Sequence, residues 1–321
     1  MCNQTPKVII SLIFVATFLL LIKHLSLTIL EDMSESTHQK TVKWPQFVAG
    51  LSAAGGAFAV GAALGWPAPA GPRLVEGDDR YFEISQSQFD WAGSIITIGC
   101  AVSCMPIGFL MQKFGRKWTM ISLVVPFLVG WSLVIWAQNF LMLMIGRFFL
   151  GFAGGAFCVS APQYSSEIAE KEIRGIVGTF FQVLINVGIL FVYIFGAFVN
   201  VFGTSIICAI IPVVFGLIFF FMPESPVYLV TEKRDNDAVK TYKWLRGSAY
   251  DPSHEIEELK LELEENKKNQ LSFSKVLKRK ATKRALVIGI GLMFFQQMCG
   301  VNIVIFNATT IFKVSCHVRA I

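Results

Sequence analysis

Charged side chains are scarce in this sequence, which excludes an ordinary soluble domain. Asp, Glu, Lys and Arg make up 16% of its 321 residues, whereas a typical soluble domain has about 25%. Residues of the hydrophobic set reach 54%, and the mean hydropathy is +0.58. The composition is that of a membrane protein. Charged residues are absent from 47–72, 91–112, 175–223 and 285–312, and Arg147 stands alone in 118–166.

The sequence also lacks the motifs of several other protein classes. Its seven cysteines form neither a disulfide framework nor a paired zinc motif, and no phosphate-binding loop is present. The net charge of +6 comes without an aromatic-interleaved basic module, so it does not indicate nucleic acid. We therefore expect no enzyme, no cofactor, no metal and no nucleic-acid partner, and a lipid bilayer as the surroundings.

The uncharged stretches are long enough to cross a bilayer, which takes about 20 apolar residues in helical form. Backbone polar groups in lipid must pair within their own segment, so an all-α integral membrane fold is expected. Turn signals at Gln138-Asn139 and Asn200 divide the two longest stretches. Spans are predicted near 47–68, 90–111, 118–137, 140–162, 176–199, 204–222 and 285–307.

The apolar segment 8–22 is shorter and its role stays open. It fits a signal-peptide core, an extra span or a surface helix, and no small-residue cleavage pattern follows it closely.

Basic residues predict the orientation, because short cytoplasmic loops are enriched in Lys and Arg. This asymmetry predicts a multi-pass cell-membrane protein with 71–89 outside and 224–284 in the cytoplasm. Within 224–284, short helices are expected at Asp235–Leu245 and from Pro252 onward, with Asp251 as the N-cap. One side carries Lys113, Arg116, Lys117, Lys171 and Arg174, whereas the other has only Arg73 and Arg80.

Two charged residues flank the fourth predicted span and cannot pair with each other, because roughly 30 Å of continuous helix separates them. Arg147 fits either an anchor that extends to the membrane interface or a structural role. Glu167 fits either a solvated loop acid or an interhelical ion pair.

Small-residue motifs at Gly61-x-x-x-Gly65 and Gly151-x-x-x-Gly155 indicate close helix packing or helix sliding during a transport cycle.

Six blocks in order resemble the sugar porter family of the major facilitator superfamily, most like insect facilitated trehalose or glucose transporters. The resemblance covers about 44–312. The blocks are GFLMQKFGRK (108–117), GRFFLGFAGG (146–155), PQYSSEIAEKEIRG (162–175), Gln182 in the fifth span, PESPVYL (223–229) and QQMCGVN (296–302).

The family has twelve spans in two six-helix halves joined by cytoplasmic helices. This chain resembles the first half, the joining helices and the seventh span, and the remaining spans are missing. The resemblance therefore implies an N-terminal segment at 1–43, six spans in 44–222, a cytoplasmic helical loop at 223–284, a seventh span at 285–312 and a tail at 313–321.

The resemblance assigns sugar contact to Gln182, Gln296, Gln297 and Asn302, with the seventh span broken near Gly300. A primary amide both donates and accepts hydrogen bonds without charge, which suits sugar hydroxyls. The alternative is that the amides only bond a neighbouring helix.

The resemblance also assigns a conformational-switch or structural role to Gly108, Lys113, Gly115, Arg116, Lys117, Arg147, Glu167 and Arg174. Three departures from the family pattern fall at switch or gate positions and indicate altered or lost cycling. Gln112-Lys113 replace an acid and an arginine, Val227 replaces an arginine, and Phe306-Asn307 replace two gate tyrosines.

Three functions remain open. The first is facilitative transport of a sugar, a hexose or trehalose, by alternating access, with this chain a truncated form that is inactive alone. The second is a non-transporting truncated isoform or assembly partner, acting as a homo-oligomer or with a missing C-terminal half. The third is proton-coupled sugar symport, which the absence of mid-span acids disfavours.

Overall fold

The computed structural model describes residues 42–77, 82–268, 280–300 and 303–308. Segment 8–22, Asn302 and the tail 313–321 lie outside the described residues. All the regular structure in the described part is helical, and seven helices are long and apolar enough to cross a membrane. These spans, numbered 1 to 7 in chain order, are Trp44–Val75, Gln86–Phe114, Arg116–Ile135, Phe140–Ile168, Arg174–Phe198, Val201–Phe220 and Lys280–Ala308.

Spans 1 and 3 each consist of two consecutive helices, and three further helices follow span 6. In chain order the helices are α1 (Trp44–Gly65), α2 (Pro67–Glu76), α3 (Gln86–Phe114), α4 (Arg116–Ser122), α5 (Val124–Ile135), α6 (Phe140–Ile168), α7 (Arg174–Phe198), α8 (Val201–Phe220), α9 (Pro226–Thr231), α10 (Asp235–Arg246), α11 (Ser253–Lys268) and α12 (Lys280–Met298).

The predicted turn residues cap the spans that follow them. The Asn139 side chain accepts from Met142 N at 2.9 Å, and that of Asn200 accepts from Gly203 N at 2.8 Å. Each satisfies one of the N–H groups that the first turn of a helix leaves without a partner. The division of both long apolar stretches into two spans therefore follows from local sequence.

Span 1, Trp44–Val75, is longer than the predicted 47–68 and includes the first residues of the segment 71–89, which was predicted to lie outside. Trp66 has helical dihedrals, and Pro67 occupies the first position of α2, where its missing N–H costs nothing. Arg73 then donates from the end of span 1 to the carbonyl of Val199, the residue that directly follows span 5.

Glycines allow the spans to cross at backbone contact. A Cβ at Gly61 would overlap the carbonyl of Ile185 in span 5, and a Cβ at Gly151 would overlap that of Ile96 in span 2. Between these crossings lies the core of the bundle, where the Phe157 ring packs 5.0 Å from that of Phe215. Close packing therefore explains both small-residue motifs, and helix sliding stays a prediction.

The segment after span 6 forms three short helices that pack on one another through Leu229, Ala238, Tyr242 and Ile256. Helix α10 begins at Asp235, as predicted, and ends before Gly247, whose φ is +107°. Helix α11 begins at Ser253, one residue later than predicted, and the Asp251 carboxylate accepts from both the N–H and the hydroxyl of Ser253.

Span 7 is interrupted where the resemblance implies. Helix α12 ends at Met298, Gly300 has a φ of +66°, and helix is described again at 303–308. A positive φ is readily adopted by glycine alone among common residues. No residue of α12 is buried, so this part of span 7 stands apart from the bundle.

Candidate functional site

A buried ion pair joins span 3 to span 4 at the end where the basic residues cluster. Arg116 Nη2 lies 2.9 Å from Glu167 Oε1, and Arg116 Nε donates to the same oxygen at 3.2 Å. Gln163 Nε2 donates to that oxygen at 3.0 Å, and the Ser225 hydroxyl donates to Oε2. Of the two alternatives for Glu167, the structure therefore contains the interhelical ion pair.

Glu224, from the PESP block, completes this cluster through backbone contacts. Its Oε1 accepts from Arg116 N and Lys117 N at 3.0 Å each and from Ser225 N at 2.8 Å. The carboxylate thus occupies the N-terminus of α4, where the helix dipole favours negative charge. Gly115, with φ +85°, leaves room for it, since a Cβ there would overlap the carboxylate. Burial raises the pKa of Glu224 above its ordinary value, and the three N–H donors oppose that rise.

Two tyrosines tie the cluster to the helices that follow span 6. Tyr164 donates to the Pro223 carbonyl at 2.8 Å, and Tyr228 donates to the Lys113 carbonyl at 3.2 Å. The Arg116 guanidinium lies 5.5 Å from the Tyr228 ring centroid. Spans 2, 3 and 4 and helix α9 therefore meet at one point.

The remaining switch candidates on spans 2, 3 and 5 are less buried than Arg116. Gly108, Lys113 and Arg174 are exposed, and a Cβ at Gly108 would have open space around it. Lys117 directs its ammonium toward the rings of Trp118 and Phe220, at 5.7 and 5.4 Å. Their open faces leave Gly108 and Lys113 accessible to a further helix.

A second cluster, which the sequence did not reveal, centres on Arg246 at the end of α10. Its guanidinium contacts Glu170 at 3.4 Å, Glu255 of α11, and the Tyr250 hydroxyl at 2.7 Å. Gln46 of span 1 and Glu170 exchange two hydrogen bonds of 2.9 Å. The cluster fastens α10 and α11 to the ends of spans 1 and 4.

Arg147 lies at the opposite end of span 4 and is fully buried. It donates to the carbonyl oxygens of Ala63 at 2.7 Å and Ala92 at 3.2 Å, and it lies 5.4 Å from the Trp66 ring centroid. No carboxylate forms an ion pair with Arg147 within the described residues. An interfacial anchor is therefore wrong, and Arg147 joins spans 1, 2 and 4.

The candidate sugar-contact glutamines are exposed on spans 5 and 7. Gln182 shares the open face of span 5 with Asn186 one turn later, a residue that sequence reasoning missed. Gln296 and Gln297 are exposed at the end of α12, immediately before the interruption at Gly300. No hydrogen bond joins Gln182 to Gln296 in the described part, and Asn302 lies outside it. Neutral amides are therefore exposed on span 5 and at the end of α12 in span 7.

Several of the seven apolar spans cross at glycines, and the seventh is interrupted, as discontinuous helices are in many secondary transporters. The sequence profile described as "Sugar (and other) transporter" matches residues 12–316. The chain therefore belongs to this sugar transporter family, which is not a family of enzymes. Its fold is like that of a solved transporter of the major facilitator superfamily.

Curated relatives and solved structures agree with this family. The facilitated trehalose transporter Tret1 of Aedes aegypti is 32% identical over 272 residues, which cover 84% of this chain and 34% of that protein. Tret1 of Bombyx mori is 32% identical over 281 residues, covering 88% and 55%. The chain thus spans about a third to about half of these relatives.

Among solved structures, the proton:xylose symporter XylE bound to 6-bromo-6-deoxy-D-glucose matches with a TM-score of 0.69 and 21% identity. This likeness covers 82% of this chain and 61% of that one. The partially occluded inward-open XylE of E. coli matches with a TM-score of 0.68 and 21% identity, over 82% and 66%. At this identity the likeness concerns the fold alone.

Proposed function

We propose that this chain forms the sugar-binding first part of a facilitative transporter that moves a hexose or trehalose across the plasma membrane by alternating access. The observation that carries the proposal is that two spans each expose side-chain amides. Gln182 is exposed on span 5, and Gln296 and Gln297 are exposed on span 7. Charged residues are absent around all three. A neutral polyhydroxyl solute matches such a surface, because each amide donates and accepts without a charge to compensate.

Passive transport fits the distribution of carboxylates better than proton coupling does. Asp90 lies at the start of span 2, and Glu167 lies at the end of span 4 in an ion pair with Arg116. Neither lies in the middle of a span, where a proton relay would require a titratable group. The sugar would then move down its own gradient.

The charge cluster of Arg116, Glu167 and Glu224 is proposed as the switch. Its hydrogen bonds fix spans 3 and 4 to the start of the helical loop, while Gly108 and Lys113 of span 2 are open to a helix of the second half. In alternating access the transporter opens to one side of the membrane and then to the other. Contacts that form at this surface in one of these two states and break in the other would bias the equilibrium between them.

A second candidate function follows from the exposure of α12. This chain alone would not transport, and would instead assemble with another chain or a second copy that covers its open faces. Exposed to lipid, an unpaired amide costs roughly 2–7 kcal/mol, so Gln296 on an uncovered helix favours such a partner.

A chimera separates these candidates. Residues 44–308 replace the aligned segment of Bombyx mori Tret1, and uptake of radiolabelled glucose and trehalose is measured in oocytes after antibody confirmation of surface expression. We expect saturable, competitor-sensitive uptake by the chimera and none by the 321-residue chain expressed alone. A chimera that reaches the surface without transporting would contradict the transport proposal, and saturable uptake by the chain alone would contradict the need for a second half.

The cytoplasmic placement of α9, α10 and α11 is a separate prediction, supported by the basic residues near both clusters. In a variant lacking the native thiols, Ser253→Cys at the exposed start of α11 is expected to resist an impermeant thiol reagent in intact cells and to react after permeabilisation. Labelling in intact cells would reverse the proposed orientation.

A further inference from the structure

Residues 303–308, here called the docked segment, pack against the bundle of the first six spans, whereas no residue of α12 is buried. Ala308 is buried, and Phe306 packs against the main core. Ile305 packs with Ile185 and Ile189 of span 5 in a small apolar cluster that includes Ala57 of span 1. In the described part of span 7, the docked segment thus carries the contact with the bundle.

One directed polar bond fixes this contact. The Tyr193 hydroxyl of span 5 donates to the Ile305 carbonyl oxygen at 2.6 Å, near the short end of the range for O–H···O bonds. Tyr193 is half-buried beside the apolar cluster that holds Ile305. In such surroundings water competes poorly for the donor, which makes the bond stronger than one at a wet surface.

The chain does not supply this hydroxyl from span 7 itself. Phe306 and Asn307 stand at the two positions where the family resemblance leads one to expect gate tyrosines. The Phe306 ring has no donor, and the Asn307 amide donates within its own segment, to the Ile303 carbonyl at 3.3 Å. Tyr193 therefore provides from span 5 the hydroxyl that span 7 lacks.

The bond lies beyond the amides along both helices. Tyr193 is about three helical turns past Gln182, and Ile305 follows the glutamine pair after the interruption at Gly300. A docked segment held there closes the space between spans 5 and 7 on the side of the predicted outer surface. A free segment leaves that space open.

We propose that Tyr193 is a positioning residue that latches the docked segment to span 5 and so closes the sugar site on its outer side. The proposal rests on the proposed function for its role in transport, but the latch itself is a contact that can be measured without transport. The hydrogen bond adds to the apolar packing of Ile305, so removing the hydroxyl shifts the segment toward the released position without removing the packing of the ring.

The test measures reagent access to the docked segment. The full 321-residue chain, lacking its native thiols and carrying Asn307→Cys, is treated from outside with a charged methanethiosulfonate reagent, and the labelling rate is compared with and without Tyr193→Phe. We expect the rate to rise about three- to ten-fold, as the net strength of one hydrogen bond predicts. An unchanged rate would overturn the latch.

Two controls separate a latch from general loosening. Tyr242→Phe makes the same chemical change on α10, away from span 7, and is expected to leave the rate at position 307 unchanged. Gln112→Cys reports on the exposed opposite end of span 2 in inside-out vesicles, and its labelling is expected not to rise with Tyr193→Phe. Equal increases at positions 112 and 307 would show a destabilised bundle and overturn the proposal.

A sugar arm distinguishes failure of the latch from failure of the proposed function. Glucose or trehalose is added to the Asn307→Cys form in the Bombyx mori chimera, where bound sugar is expected to slow labelling and Tyr193→Phe to weaken that protection. A Tyr193→Phe effect without protection by sugar would retain the latch and count against a sugar site. If sugar protects position 307 equally well with Tyr193→Phe, and the basal labelling rate is also unchanged, the latch is overturned but the sugar site is retained.

Discussion

Replacement of Arg116 by alanine is expected to destabilise the folded chain by about 3–5 kcal/mol, the cost of leaving a buried carboxylate without its partner. Glu167 would keep donors from Gln163 and Ser225 but lose the one cation that pairs with it in the described part of the chain. The measurement is the thermal unfolding of the detergent-solubilised protein. Arg174→Ala serves as the matched control, because Arg174 is exposed and is expected to change stability by less than about 0.5 kcal/mol.

A second substitution shows whether the loss comes from the uncompensated charge. Arg116→Ala combined with Glu167→Gln removes both charges and is expected to be less destabilising than Arg116→Ala alone, since a coupled pair is not additive. If Arg116→Ala were no more destabilising than Arg174→Ala, the cluster would not hold spans 3 and 4 together.

Much of the fold could be predicted because its determinants are local. Uncharged stretches, capping asparagines at 139 and 200, and Gly300 act within a few residues of their own positions. The predicted end of span 1, at residue 68, is too early, because a second helix begins at Pro67 and carries the span on to Val75. Proline is tolerated in the first turn of a helix. The sequence alone is therefore compatible with a span that ends near Pro67 and with one that continues as a second helix.

The tertiary clusters could not be read from spacing, since they join residues far apart in the chain. Glu224 stands in a recognised block, but its hydrogen bonds to Arg116 and Lys117 span more than a hundred residues. Arg246 directly follows the predicted helix Asp235–Leu245, and nothing in its spacing indicates that its guanidinium joins Glu170 and Glu255. A basic residue whose side chain is largely buried is evident only once the helices are packed.

The second large effect concerns sugar affinity. Leucine at both Gln296 and Gln297 removes every donor and acceptor of the pair and leaves the sugar hydroxyls facing hydrocarbon. At the central value of about 1 kcal/mol net per hydrogen bond, losing two bonds costs about 2 kcal/mol and weakens binding by more than about ten-fold, since 1.4 kcal/mol corresponds to a factor of ten. The control is Gln138→Leu, which changes an exposed glutamine between spans 3 and 4 and is expected to leave affinity unchanged.

The most direct test of the sugar site is equilibrium binding of tritiated glucose and trehalose to the solubilised Bombyx mori chimera, with and without Gln296→Leu and Gln297→Leu together. The account predicts saturable binding of at least one sugar and an affinity at least about ten-fold lower in the double variant. Saturable binding whose affinity is the same in both proteins would contradict the assignment of the exposed glutamines to the sugar site.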